Sequence, residues 1–95
     1  MKQVIDGKQY DTESAILIAD DQYWDGHNWE RRGKNKYLYK TKKGNYFLMI
    51  TTLWAGERDY LKPLPNEETA KEYYENLPEH EVNWEVAFGR LPEEA

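Results

Sequence analysis

The residues of this 95-residue chain that could do chemistry crowd between positions 20 and 43. Asp20, Asp21, Asp25, His27 and Glu30 put four carboxylates and an imidazole within eleven residues, ligand types that suit a hard cation. Their spacing does not. A calcium loop begun at Asp21 has Asp25 fifth and Gly26 sixth, as required, but Tyr23 third and Arg32 twelfth, where a bidentate glutamate is needed. No metal is expected. Directly afterwards, Arg31, Arg32, Lys34, Lys36, Lys40, Lys42 and Lys43 are interleaved with Tyr37, Tyr39 and Tyr46, cations for phosphates and rings for stacked bases. The competing reading is that these lysines guard a hairpin against edge pairing.

Covalent catalysis has little to work with. Ser14 is the only serine, no cysteine exists, and no glycine-flanked elbow presents a hydroxyl. His27 and His80 are the only imidazoles and read as a loop residue and a helix-start residue. With eighteen acids present, a pair of carboxylates signals nothing about glycosidase chemistry. The expectation is a protein without catalytic residues or cofactor. Glu67, Glu68, Glu72, Glu75, Glu79, Glu81 and Glu85 form a row able to imitate phosphates for a nucleic-acid-binding partner, with a plain solvated face as the competing account. Tyr23, Trp24 and Trp29 lie in a turn-rich stretch where aromatic anchors serve binding.

Residues 1–95 make one domain, which hides only ~60–65% of the surface its unfolded chain exposes, so each of its fourteen aromatic residues matters. Without cysteine the fold must hold by packing, and a reducing cytoplasm is the natural setting. The opening Met1-Lys2-Gln3-Val4-Ile5-Asp6 lacks an apolar signal region, and no aliphatic run is long enough to span a bilayer, so no membrane is expected. The net charge of −5 conceals segregation: residues 1–30 hold seven acids and two lysines, residues 31–56 seven bases and no acid, residues 57–95 eleven acids and four bases.

The elements that must position these groups centre on residues 36–54. Two runs rich in Tyr, Phe, Leu, Ile and Thr flank Lys42-Lys43-Gly44-Asn45, and a three-residue loop with Gly44 left-handed sets Tyr39 opposite Phe47, Leu38 opposite Leu48 and Tyr37 opposite Met49. The second run is apolar on both faces, which predicts a central strand or one covered by a helix or partner. Ahead of it, Val4-Ile5 is a short strand turning at Asp6-Gly7, and Asp11-Thr12-Glu13-Ser14 predicts a helix start running to about Ala19. A strand through Ala15-Ile16-Leu17-Ile18 is the competing reading. Behind it, residues 59–64 read as a strand that Pro63 confines to an edge or to its own end, and Pro65-Asn66-Glu67-Glu68 opens a helix with Ala70, Tyr73, Tyr74 and Leu77 inward. Pro78 ends that helix and starts another that stops at Gly89, although residues 82–88 also alternate with the period of a strand. The expected architecture is α+β: an N-terminal strand and helix, an antiparallel sheet of three to four strands, and two C-terminal helices on one face.

Three blocks, Val4-Ile5-Asp6-Gly7-Lys8-Gln9-Tyr10-Asp11-Thr12-Glu13-Ser14-Ala15, Tyr37-Leu38-Tyr39-Lys40-Thr41-Lys42-Lys43-Gly44-Asn45-Tyr46-Phe47-Leu48 and Leu64-Pro65-Asn66-Glu67-Glu68-Thr69-Ala70, carry a resemblance. In that order they resemble a family of small proteins encoded on bacterial phages, plasmids and integrated elements, some similar members of which are associated with anti-CRISPR activity. The chain departs from that pattern after Leu48, where Met49-Ile50-Thr51-Thr52-Leu53-Trp54 replaces Gly-rich segments. The resemblance implies a small α+β fold, a bacterial mobile-element setting and no known catalytic residues. Together these readings predict a non-enzymatic binding protein that inhibits or modulates a larger bacterial protein or ribonucleoprotein machine, such as a CRISPR effector. Its contacts would be Tyr23, Trp24, Trp29, Glu72 and Glu75. The alternatives are direct nucleic-acid binding through residues 31–43 and a self-associating subunit, such as a homodimer, that buries the second face of the strand from Tyr46 to Trp54.

Overall fold

A computed structural model describes residues 1–21, 34–52 and 56–94. In chain order its elements are β1 (Lys2–Ile5), β2 (Lys8–Asp11), β3 (Ile16–Asp20), β4 (Lys34–Lys40), β5 (Tyr46–Thr52), β6 (Tyr60–Pro63), α1 (Glu67–Asn76), β7 (Glu79–His80) and α2 (Trp84–Phe88). The fold is α+β. An antiparallel five-stranded sheet runs β6-β5-β4-β3-β7, and β1 and β2 form a separate two-stranded ribbon.

The centre of the sheet is the hairpin that local sequence specifies. Tyr37 faces Met49, Leu38 faces Leu48 and Tyr39 faces Phe47, the expected register. Gly44 stands at φ 88°, its N–H donates to the Thr41 carbonyl at 3.0 Å, and the Thr41 N–H donates to the Asn45 carbonyl at 2.8 Å. A left-handed residue at that point returns the chain in register, which glycine does without steric cost. Leu53 and Trp54, the expected end of this hairpin, lie outside the described residues.

Strand alternation then splits the apolar residues of β5 between two cores. Tyr46, Leu48 and Ile50 pack with Ile18, Leu38, Ala70, Tyr74, Leu77, Ala87 and Phe88 beneath the helices. Phe47 joins Tyr10 and Leu61 on the other side, with Ile5, Tyr39 and Met49 against them, beneath the β1–β2 ribbon. Phe47 is fully buried, stacked on Tyr39 at 5.2 Å and met edge-on by Tyr10 at 5.4 Å. The cover that the two-faced strand requires is thus supplied within the chain.

Three expectations are corrected. The N-terminal helix is instead a turn followed by β3: Asp11 accepts the Glu13 N–H through its side chain at 3.0 Å, closing a turn rather than capping a helix. Residues 16–20 then bond to β4 on one side and β7 on the other, so tertiary pairing settles an apolar run too short to declare its own period. The helix expected from Pro78 begins only at Trp84, with Asn83 capping the Val86 N–H at 2.9 Å, because Glu79 and His80 are held extended against Asp20 and Ala19. Gly89 does stop it, left-handed at φ 79°. The sheet therefore has five strands rather than three or four, the additions being β3 and the two-residue β7. Pro63 lies on edge strand β6, as its missing N–H demands. Across that edge, the Leu61 N–H is taken by Gln3 Oε1 at 3.3 Å.

Candidate functional site

Helix α1 turns one face to the sheet and one to solvent. Asn66 caps it by accepting the Thr69 N–H at 2.9 Å, Glu67 and Glu68 oppose the positive end of its dipole, and Ala70, Tyr74 and Leu77 point inward. Tyr73 is only half-buried. On the outward side Glu68, Glu72 and Glu75 are exposed.

The bend at Pro78 and the short β7 return the chain under α1, so that rings from four separate positions meet. The His80 ring stacks on Tyr74 at 3.9 Å, Trp84 meets Tyr74 edge-on at 5.7 Å, and Phe88 lies 4.6 Å from Trp84. Two buried phenols fix the arrangement: Tyr74 donates to the Val82 carbonyl at 2.8 Å and Tyr46 to the Ala87 carbonyl at 2.9 Å. Burial raises both phenol pKa values above 10.0; for Tyr46 the nearby Glu67 adds to the rise and Arg90 opposes it.

Over these rings runs a groove of about 600 Å³, walled in part by Glu68, Glu75, His80, Trp84 and Arg90. Lys71 crosses it. Its ammonium lies 5.7 Å from the centre of the Trp84 ring and 3.1 and 3.5 Å from Glu67 and Glu68. Arg90 also reaches Glu67, at 3.2 Å. Both local cations are therefore committed to the first turn of α1. Among the described residues Glu72, Glu75, Glu81 and Glu85 have no ion pair. The arrangement presents negative charge beside aromatic faces, two features that attract a cationic side chain.

The basic candidates are dispersed. Lys36 and Lys40 sit opposite Ile50 and Tyr46, on the face of β4 that carries Leu38, whereas Tyr37 and Tyr39 occupy the other face. Lys34 pairs with Glu57 at 3.9 Å, and the Lys40 ammonium lies 5.9 Å from the centre of the Tyr46 ring. Tyr39 is stacked on Phe47, and burial raises its phenol pKa, with Tyr37 and Asp20 adding to the rise. Lys42 and Lys43 stand exposed at the hairpin tip. Interleaving in sequence is separation in a strand, so Lys36 and Lys40 do not share a surface with Tyr37 and Tyr39.

Two acids from the cluster weighed for metal binding fall within the described residues. Asp20 is fully buried in β3 opposite Tyr37 and Glu79, and Asp21 extends the ladder by accepting the Lys36 N–H on Oδ1 at 2.8 Å. Asp25, His27 and Glu30 lie outside the described residues, as do the contact candidates Tyr23, Trp24, Trp29, Arg31 and Arg32. Among the described residues no group of three or more His, Asp or Glu side chains is placed to hold a metal ion, and no helix is long and apolar enough to cross a membrane.

Sequence reading singled out Glu72 and Glu75 but not Lys71, Tyr74, His80 and Trp84 as partners in a groove. Nothing local revealed that β7 would fold His80 back beneath α1. No family model matches the chain, and neither a curated protein nor a solved structure matches it.

Proposed function

We propose that this chain is a non-enzymatic binding protein that engages a basic surface of a larger bacterial machine through the outward face of α1 and the adjoining groove. The observation that carries this reading is Glu75, exposed and without an ion pair among the described residues, in the wall of a groove lined by Tyr74, His80 and Trp84, with Glu72, likewise exposed and without an ion pair, on the same helix. A machine that handles nucleic acid must carry basic surface, and an acidic protein face would compete for it while speeding encounter. The likeness of residues 4–15, 37–48 and 64–70 to proteins of bacterial mobile elements favours inhibition of a host defence complex, and a CRISPR effector is one such target.

The test compares baits of wild-type protein and a Glu72→Lys/Glu75→Lys variant in nuclease-treated bacterial lysate, read by quantitative mass spectrometry. A basic partner retained by the wild type and lost from the variant is the expected result. Equal retention by both baits, or no retention by either, overturns the reading.

A second reading, direct nucleic-acid contact through the hairpin tip, is favoured by the exposure of Lys42 and Lys43. It predicts binding to DNA or RNA that weakens steeply with salt and is abolished by Lys42→Glu with Lys43→Glu. Self-association through β5 loses its surface over Tyr46, Phe47, Leu48 and Ile50, each at most 6% exposed in the single chain.

A further inference from the structure

At the end of the sheet where the hairpin turns, the loops of two different hairpins meet. The β1–β2 turn supplies Lys8, the β4–β5 turn supplies Lys42 and Lys43, and between them lies a cleft of about 410 Å³, within the size range of small-ligand sites. Ser14, Thr41 and Asn45 add polar groups to its walls, and Tyr10, whose ring is anchored against Phe47, contributes to its lining.

The electrostatics of this cleft run against those of the chain. The whole protein carries −5, yet the described lining holds three lysines and no carboxylate. None of the three ammonium groups has an ion pair among the described residues. Lysines at a bare hairpin tip serve solubility well enough singly, but here Lys8 and the pair Lys42-Lys43, remote from it in sequence, line one concavity. Uncompensated cations lining one concavity with hydroxyl and amide groups are the chemistry that receives a multiply charged oxyanion.

The turn geometry adds to the case. The Asn45 N–H is taken by Thr41 Oγ1 at 3.0 Å and the Gly44 N–H by the Thr41 carbonyl, so these two N–H groups of the tip are engaged within the turn. The positive charge comes from the side chains, and a compact tetrahedral dianion meets three ammonium groups better than a planar monoanion does.

We infer that the cleft between the β1–β2 and β4–β5 turns binds a phosphate group, with Lys8, Lys42 and Lys43 as its cationic ligands. The site is distinct from the helix face and independent of the partner proposed for it; for a nucleic-acid phosphate it rests on the hairpin-tip reading given above, and for a free phosphate it does not. The phosphate is either free or part of a nucleic acid, and the experiment separates these sources.

The test follows backbone amide signals of the full chain by NMR during titration with inorganic phosphate, against sodium chloride at matched ionic strength. Saturable shifts confined to residues 7–10 and 41–45 are expected, and Lys8→Gln should weaken the fitted affinity about tenfold, the loss of one charge-assisted contact. Lys8 is exposed, so this variant keeps the fold, and its remaining spectrum verifies that. In a second arm, single-stranded oligonucleotides with a 5′-phosphate and a 5′-hydroxyl are compared. Preference for the first assigns the site to a terminal or free phosphate; equal binding, weakened by Lys8→Gln, assigns it to the phosphodiester backbone. Linear, unsaturable shifts, or shifts that Lys8→Gln leaves unchanged, overturn the inference.

Discussion

His80 Nε2 lies 2.6 Å from the carbonyl oxygen of Tyr74, the acceptor in α1 that Pro78 leaves without a helical donor. In an uninterrupted helix that carbonyl would receive the N–H of residue 78, which proline lacks. The contact requires the proton on Nε2, and it comes with a ring stack of 3.9 Å on Tyr74 itself. A residue that reads in sequence as the start of a helix thus closes the end of the preceding one and lies in β7 beneath it.

Replacing His80 with phenylalanine keeps a ring for the stack and removes the donor. We expect His80→Phe to lower stability by about 1 kcal/mol, seen as a reduced urea midpoint with an unchanged slope. An unaltered midpoint would show that water serves the Tyr74 carbonyl equally well.

The buried phenols set the response to alkali. Tyr46, Tyr74 and Tyr39 each ionise above 10.0 in the folded protein, chiefly because burial disfavours the phenolate. Above pH 10 the unfolded chain therefore holds fewer protons than the native one, and stability falls with rising pH across the interval up to the native values. Below pH 10 these groups contribute their full stabilisation. A series of urea midpoints from pH 8 to 12 should be flat at first and then decline, and Tyr46→Phe with Tyr74→Phe should flatten the decline while reducing stability at pH 8.

Gly44 offers a clean measure of backbone strain, since a Cβ built there meets no atom within 4 Å. Gly44→Val should cost about 1–2 kcal/mol from its left-handed conformation alone, and Gly44→Asn distinctly less, because asparagine tolerates that region. Equal losses in the two variants would mean that the turn relaxes to another geometry.

How much of this fold was legible depends on how local its causes are. The register of β4 against β5 follows from Gly44 and the residues on either side, all within one turn, and sequence alone gives it correctly. The start of α1 follows in the same way from Asn66 and the acids behind it. Residues 16–20 are different: their extended form is enforced by β4, which follows fourteen residues later, and by β7, near the other end of the chain. A two-residue strand such as β7 has no pattern to read at all. The site shows the same division, for Glu72 and Glu75 are visible as one acidic helix face, whereas Lys8 shares a cleft with Lys42 and Lys43 only because two turns arrive at the same end of the sheet.

The central claim is that the outward face of α1 touches the partner. It is tested most directly by placing a photo-crosslinking residue at position 76, whose asparagine is exposed and bonded to the Glu72 carbonyl, or at position 45 in the hairpin turn. Irradiation in nuclease-treated bacterial lysate should give one discrete protein adduct from position 76, suppressed by Glu72→Lys with Glu75→Lys, and none from position 45. An adduct formed from position 45 alone, or one from position 76 that survives both charge reversals, would contradict the account.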